Sequence, residues 1–239
     1  MFCKVTIISS MRFALLDNQR IEATPRAVGS CPSCKADMVA RCGTKKNWHW
    51  AHRGRRHCDH WWENETEWHR TWKNQFSSDW QEVSARDETG ELHIADIKTP
   101  NGLTIEFQHS AIKLGEVVKR TNFYGQVIWI IDATRRPTDA IQYERMLEDN
   151  YPERFDGVDI YTVYYEETRL LKEWGALGVI VGFDYGGDNL CLLTAAQGYS
   201  RYLFDFPKAE FVRRVIEGKP LPVVQFAKPV QRRYRRRRL

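Results

Sequence analysis

LHIADIKTPNGLTIEFQHS, residues 92–110, decides the fold. Two strand-like runs, Leu92–Ile97 and Leu103–Gln108, flank KTPNG, whose Asn101-Gly102 pair is a favoured hairpin turn. Strand side chains alternate between faces, so Ile105 and Phe107 point one way while Glu106 and Gln108 point the other. The first run carries Asp96 between Ala95 and Ile97. A carboxylate inside a run bound for the interior demands a partner, because an unpaired buried charge is costly. The hairpin therefore reads as core on one face and as chemistry on the other.

A divalent cation is the most economical partner for converging carboxylates, since its charge offsets their desolvation and mutual repulsion. Mg²⁺ or Mn²⁺ held by Asp96 and Glu106, with Glu65 directly or through water, would orient and deprotonate a water and stabilise charge on a phosphate. That chemistry is phosphodiester hydrolysis. Just upstream, WWENETEWHRTWKNQFSSDW (61–80) places Trp61, Trp68, Trp72 and Phe76 at spacings of seven and four, which predicts one amphipathic helix. On it Glu65, His69 and Lys73, each four apart, form a polar stripe. His69 is expected to orient water or phosphate.

Downstream, a helix over about 112–124 leads into VIWIID (127–132), apolar on both faces and so suited to the middle of a covered sheet. Beyond 138 come a helical TDAIQYERMLED, strand-like VDIYTVYY, LGVIVGF and LCLLTA, and a last helix over Lys208–Glu217. No cluster of ligands or acids occurs there, and the stretch reads as an accessory region.

The N-terminal part opens with strand-like runs at Lys4–Ile8 and Arg12–Leu16, a turn at Asp17 and Asn18, and a further strand at Arg20–Ala23. Cys31, Cys34, Cys42 and Cys58 then share a short segment with His49, His52, His57 and His60. C-x2-C followed by H-x2-H matches tetrahedral Zn²⁺, a structural ion that would fold a segment too small for its own core. Cys31 and Cys34 are the firm pair and His49 and His52 the favoured partners, with Cys42, His57, Cys58 and His60 as alternatives. No acid sits in the cluster in the manner of H-E-x-x-H, which argues against catalytic zinc. Cys3 and Cys191 read as ordinary buried thiols.

With 239 residues, 42% of them hydrophobic, the chain can bury a real core. Its longest apolar runs are too short to span a bilayer. MFCKVTIISSMRFALL is broken by Lys4, Ser9, Ser10 and Arg12 and lacks a small-residue cleavage site, so it reads as strand, and the cytoplasm is the expected compartment. The net charge of +5 is concentrated in QRRYRRRRL: without Arg232, Arg233, Arg235, Arg236, Arg237 and Arg238 the remainder stands at −1. Together with Arg53, Arg55 and Arg56, this tail suits DNA phosphates rather than a membrane.

The ordered set CPSC (31–34), HWAH (49–52), ETEWHRTWK (65–73), HIAD (93–96), IEFQHSAI (105–112) and Arg120 with Tyr124 before VIWIID resembles the competence protein CoiA-like family of the PD-(D/E)XK nuclease superfamily. The resemblance covers about residues 12–132. It implies an α/β (α+β) fold: a restriction-endonuclease-like mixed sheet flanked by helices, behind an N-terminal β-hairpin and zinc-binding module. It places the nuclease acids at Glu65, Asp96 and Glu106. The implied domains are 1–60 (hairpin and zinc module), 61–137 (nuclease-like core) and 138–239 (accessory region with basic tail). One departure is chemical: the superfamily's acid-x-Lys is here Glu106-Phe107-Gln108, leaving Lys73 or Lys98 to supply the cation. The expected activity is Mg²⁺- or Mn²⁺-dependent DNA cleavage during processing of incoming or recombining DNA. The alternatives are a non-cleaving DNA-binding protein that assists recombination, and a nuclease subunit docked through its C-terminal region in a larger defence or repair assembly.

Overall fold

A computed structural model describes residues 10–54, 58–59, 61, 65–194 and 201–222. The strand expected at Lys4–Ile8, Cys3, Arg55, Arg56, His57, His60 and the arginines of the C-terminal tail lie outside the described residues. The first of two units ends at Arg135. It begins with β1 (Ser10–Met11), β2 (Phe13–Leu16), β3 (Gln19–Glu22), β4 (Val28–Ser30), β5 (Asp37–Arg41) and β6 (His49–His52). These form one sheet in the order β1-β6-β5-β4-β2-β3. The β2–β3 hairpin turns at Asp17 and Asn18, whose φ of 51° and 63° match the primed turn that suits strand twist. The sheet closes over Met11, Ala14, Cys31, Met38 and Trp50.

The same unit continues with α1 (Glu67–Lys73), β7 (Gln81–Arg86), β8 (Leu92–Lys98), β9 (Thr104–Gln108), α2 (Leu114–Tyr124) and β10 (Val127–Asp132). The order β10-β9-β8-β7 makes a mixed sheet, parallel between β10 and β9 and antiparallel elsewhere. The β8–β9 hairpin turns where the sequence placed it: Gly102, at φ 89°, donates its amide to the Thr99 carbonyl at 3.0 Å. Ile97 pairs with Ile105, and Trp72 of α1 stacks on Phe107. VIWIID is buried along its whole length, as expected for a strand covered on both faces.

The long tryptophan helix is not what forms. α1 holds only seven residues, because Thr66 caps it and Asn74 closes it. The cap is reciprocal: Thr66 Oγ1 accepts from the His69 amide at 3.4 Å, and the Thr66 amide donates to His69 Nδ1 at 3.2 Å. Glu65 therefore precedes the helix, Phe76 follows it, and Trp61 stands apart, stacked on His93. Sequence reading also missed β7, whose pattern does not alternate.

The second unit, from Arg136, comprises α3 (Pro137–Asp149), β11 (Glu153–Phe155), β12 (Val158–Val163), α4 (Arg169–Trp174), β13 (Val181–Asp184), β14 (Asn189–Leu193), β15 (Arg201–Pro207) and α5 (Lys208–Ile216). Its strands lie in the antiparallel order β11-β12-β15-β14-β13. Phe183, Leu190, Leu192 and Phe211 are fully buried there, as is Cys191. No helix among the described residues is long and apolar enough to cross a membrane.

Candidate functional site

The turn after β4 brings two thiols toward one point, Cys31 buried and Cys34 exposed: the Lys35 amide donates to the Cys31 carbonyl at 3.0 Å, with Lys35 at φ 62°. His52, at the end of β6, and Cys58 approach the same point. Sγ of Cys34 lies 3.3 Å from Nε2 of His52, and Sγ of Cys31 lies 3.7 Å from Sγ of Cys58. All four donor atoms fall within 4.8 Å of one another. A tetrahedron built on zinc–sulfur bonds of about 2.3 Å has edges of about 3.8 Å, so this Cys3His set fits Zn²⁺. A hydrogen bond from Cys58 holds the Cys31 thiol down at about 3, and the same bond, with burial, drives Cys58 up. A cation that takes both sulfurs as thiolates removes that inequality.

The expected ligand His49 is not in this group; its Nδ1 lies 2.8 Å from the Asn47 carbonyl. The reason is the strand. His49 and His52 are three residues apart on β6, and an odd separation puts them on opposite faces. Cys58 takes the fourth place, and Cys42 packs at the edge of the apolar core.

The second site lies where α1, β7, β8 and β9 converge. Asp96 and Glu106 lie one position beyond the Ile97–Ile105 pair, where side chains bridge the two strands. The Asp96 amide donates to Glu106 Oε1 at 3.3 Å, and the Phe107 amide donates to Asp96 Oδ2 at 3.0 Å. Lys73 projects from α1 between three acids: its Nζ is 2.9 Å from Asp96, 3.4 Å from Glu65 and 3.6 Å from Glu82. Arg70 holds Glu65 Oε2 at 2.6 Å, and Arg120 lies 3.6 Å from Glu106 and donates to the Trp61 carbonyl at 2.6 Å. Asp59 closes the far wall, accepting from the amides of Trp61 at 2.8 Å and Ile94 at 2.7 Å. These groups line a cavity of about 70 Å³, large enough for several water-sized groups at roughly 10–15 Å³ each.

Burial and the neighbouring Asp96 push the Glu106 carboxyl up to about 8, against the pull of Arg120. Burial also raises Glu82, with Glu65 adding to it. For Asp96 burial acts upward but is outweighed by Lys73 and His69, and the net shift is down. Burial likewise works against the Lys73 ammonium, yet Asp96, Glu82 and Glu65 together raise it. Five carboxyl groups (Asp59, Glu65, Glu82, Asp96, Glu106) meet three cations (Arg70, Lys73, Arg120) at this site, a surplus of two negative charges only once all five, including the Glu106 carboxyl pushed up to about 8, are ionised. Glu65 Oε1 is buried with only the Lys73 ammonium, 3.4 Å away, beside it. The surplus of carboxylate oxygen donors fits a hydrated Mg²⁺ or Mn²⁺.

The structure brings together Glu65, His69, Lys73, Asp96 and Glu106 of the residues singled out from sequence. His69 lines the cavity, but its Nε2 donates to the Phe107 carbonyl at 3.1 Å and its Nδ1 serves the helix cap. Those bonds make it a brace between α1 and β9. Gln108 is buried, and its amide donates to the Ser110 carbonyl at 3.0 Å; it is not among the cavity's lining residues. His109 bonds Asp132 at 2.6 Å. Arg53 is exposed beside β6. Glu82 and Asp59 were missed: Glu82 belongs to the unrecognised β7, and Asp59 was hidden among metal-ligand types.

An α+β chain thus carries a Cys3His centre on its N-terminal sheet and a lysine-bridged acidic pocket at the edge of a mixed sheet. Residues 16–60, which hold all four ligands of that centre, match the family described as Competence protein CoiA, N-terminal domain. That likeness is to the N-terminal segment alone. No curated protein and no solved structure matches it.

Proposed function

We propose that the protein is a divalent-metal-dependent DNA nuclease related to the PD-(D/E)XK superfamily, acting on incoming or recombining DNA as the competence name of its N-terminal domain suggests. One observation carries the reading: two carboxylates, Asp96 and Glu106, one position beyond the Ile97–Ile105 pair and each accepting a backbone amide of the other's strand, with a buried ammonium 2.9 Å from one of them. Asp96 and Glu106 would hold Mg²⁺ or Mn²⁺, with Glu65 through water. The ion supplies Lewis-acid activation of water and charge stabilisation on phosphate when bound. Lys73 presents its charge beside the metal-binding acids, the place that acid-x-Lys would otherwise fill from Gln108. Asp96 is the most open of the acids, its side chain 22% exposed against 6% for Glu106, so an incoming phosphate meets the Asp96 side first. The zinc centre is structural, and the arginine-rich tail supplies sequence-independent attraction to DNA.

The test is incubation of purified protein with single-stranded, duplex and branched DNA plus Mg²⁺ or Mn²⁺. Cleavage is expected in the wild type and is abolished by Asp96→Asn and by Glu106→Gln; cleavage that survives either substitution overturns the mechanism. A second reading has its own support: Lys73 already neutralises Asp96, and Glu106 keeps its proton near neutrality. The pocket would then be a settled charge network in a non-cleaving DNA-binding protein, which predicts salt-dependent binding and no cleavage with any metal.

A further inference from the structure

β7 enters the site with two consecutive side chains that break the rule of alternation. In a regular strand Gln81 and Glu82 would point to opposite faces. Both are instead buried, and both reach Lys73. The Gln81 amide donates to the Lys73 carbonyl at 2.9 Å and the Phe76 carbonyl at 3.0 Å. The Glu82 carboxylate lies 3.6 Å from the Lys73 ammonium. What allows this is the backbone: Glu82 has φ 48°, a left-handed value that an L residue with a long side chain seldom adopts. Such a conformation persists only where surrounding contacts over-determine it, and it clusters at functional sites.

Those contacts come from the N-terminal sheet. The Arg12 amide, at the break between β1 and β2, donates to both Glu82 oxygens at 2.9 Å, and the Phe13 amide adds a bond at 3.3 Å. The Arg12 side chain fixes that break, bonding Glu22 at 2.6 Å, Asn74 at the end of α1 at 2.6 Å and Gln81 at 3.0 Å. A carboxylate so held cannot swing toward an entering cation.

From this we infer that Glu82 is a positioning residue for Lys73, held in place by the N-terminal sheet, so that the zinc-bearing module forms a working wall of the acidic pocket. With Gln81 fixing the backbone of Lys73 and Glu82 its ammonium, the lysine is gripped at both ends. When an ion takes Asp96, Glu82 keeps the displaced ammonium within the site instead of releasing it to solvent. The inference rests on the nuclease reading for its consequence in catalysis, and on geometry alone for the Glu82–Lys73 link.

The test reads Lys73 directly in the full chain. In ¹⁵N-lysine-labelled protein the clamped ammonium gives a slowly exchanging signal, assigned by its loss in Lys73→Met. Glu82→Gln keeps one acceptor oxygen for the Arg12 and Phe13 amides but withdraws the charge; Glu82→Asn is a second variant that tolerates the left-handed backbone and cannot reach Lys73. Both are expected to broaden or shift the signal, to lower kcat about 10- to 100-fold with KM within about twofold, and to be no slower in combination with Lys73→Met than Lys73→Met alone. An unchanged Lys73 signal in both variants, or kcat losses that multiply in the double variant, overturns the inference. A wild type that does not cleave DNA defeats the nuclease reading, and the ammonium signal then decides the Glu82–Lys73 link by itself.

Discussion

Glu106 makes stability fall as pH rises, in a window set by its own carboxyl. In the folded chain that carboxyl is pushed up to about 8 by burial and Asp96, against an ordinary 4.5 in the unfolded chain. Between those values the folded state keeps a proton that the unfolded state has released, so raising the pH favours unfolding. The contribution is fully present below 4.5 and is lost as the pH rises through about 8, with a slope of about 1.4 kcal/mol per pH unit. From pH 5 to pH 8 this amounts to about 3.5 kcal/mol, an upper figure because relaxation around the buried group softens it. The assay is urea denaturation of zinc-loaded protein followed by tryptophan fluorescence at pH 5, 6, 7 and 8, without added Mg²⁺ or Mn²⁺. Glu106→Gln should flatten most of the slope, since an amide does not titrate. Glu82, also raised, contributes in the same direction and leaves a residual slope. On the proposed metal-dependent reading, saturating Mn²⁺ should flatten the wild-type slope too, because an ion held by the deprotonated pair would stabilise the folded state more as pH rises. Parallel curves for wild type and Glu106→Gln would refute the reasoning.

Zinc content separates the two ligand sets: Cys58→Ser should lose most bound zinc by atomic emission, whereas His49→Ala should retain it. Thr66→Ala removes the α1 cap and should cost about 1 kcal/mol in denaturant unfolding, while His69→Ala, which loses both the cap and the tie to Phe107, should cost about 2 kcal/mol. Asp59→Ala strands the half-buried Ile94 amide and the buried His93, and should lower stability by about 2 to 4 kcal/mol in the same measurement. Removing Arg232–Arg238 should weaken DNA binding and reduce its salt slope by about 0.9 for each phosphate no longer neutralised, read by anisotropy titration at several salt concentrations.

The β8–β9 hairpin and the buried β10 were legible because their signals are local: a turn dipeptide between alternating runs, and an apolar run of strand length. The closeness of Asp96 and Glu106 follows from that hairpin, so this half of the acidic pocket could be read without coordinates. The tryptophan helix misled because seven-and-four spacing is necessary for an apolar stripe but does not locate a helix end. Thr66 with His69 three residues on was the available signal, obscured because a capping box is usually sought as Ser or Thr followed by Glu or Gln. His49 misled for a related reason. H-x2-H brings both rings to one side on a helix, and in this chain the segment is a strand, where it separates them. Glu82 was beyond reach of pattern, because a positive φ cancels the alternation on which strand reading depends.

Gln108 has a physical account in the strand it ends. Its amide donates to the Ser110 carbonyl at 3.0 Å, and its side chain does not line the cavity, so the position contributes no charge there. The ammonium among the acids comes instead from α1, where Lys73 lies 2.9 Å from Asp96. Glu82, the acid that sequence alone did not offer, stands 3.6 Å from the same ammonium.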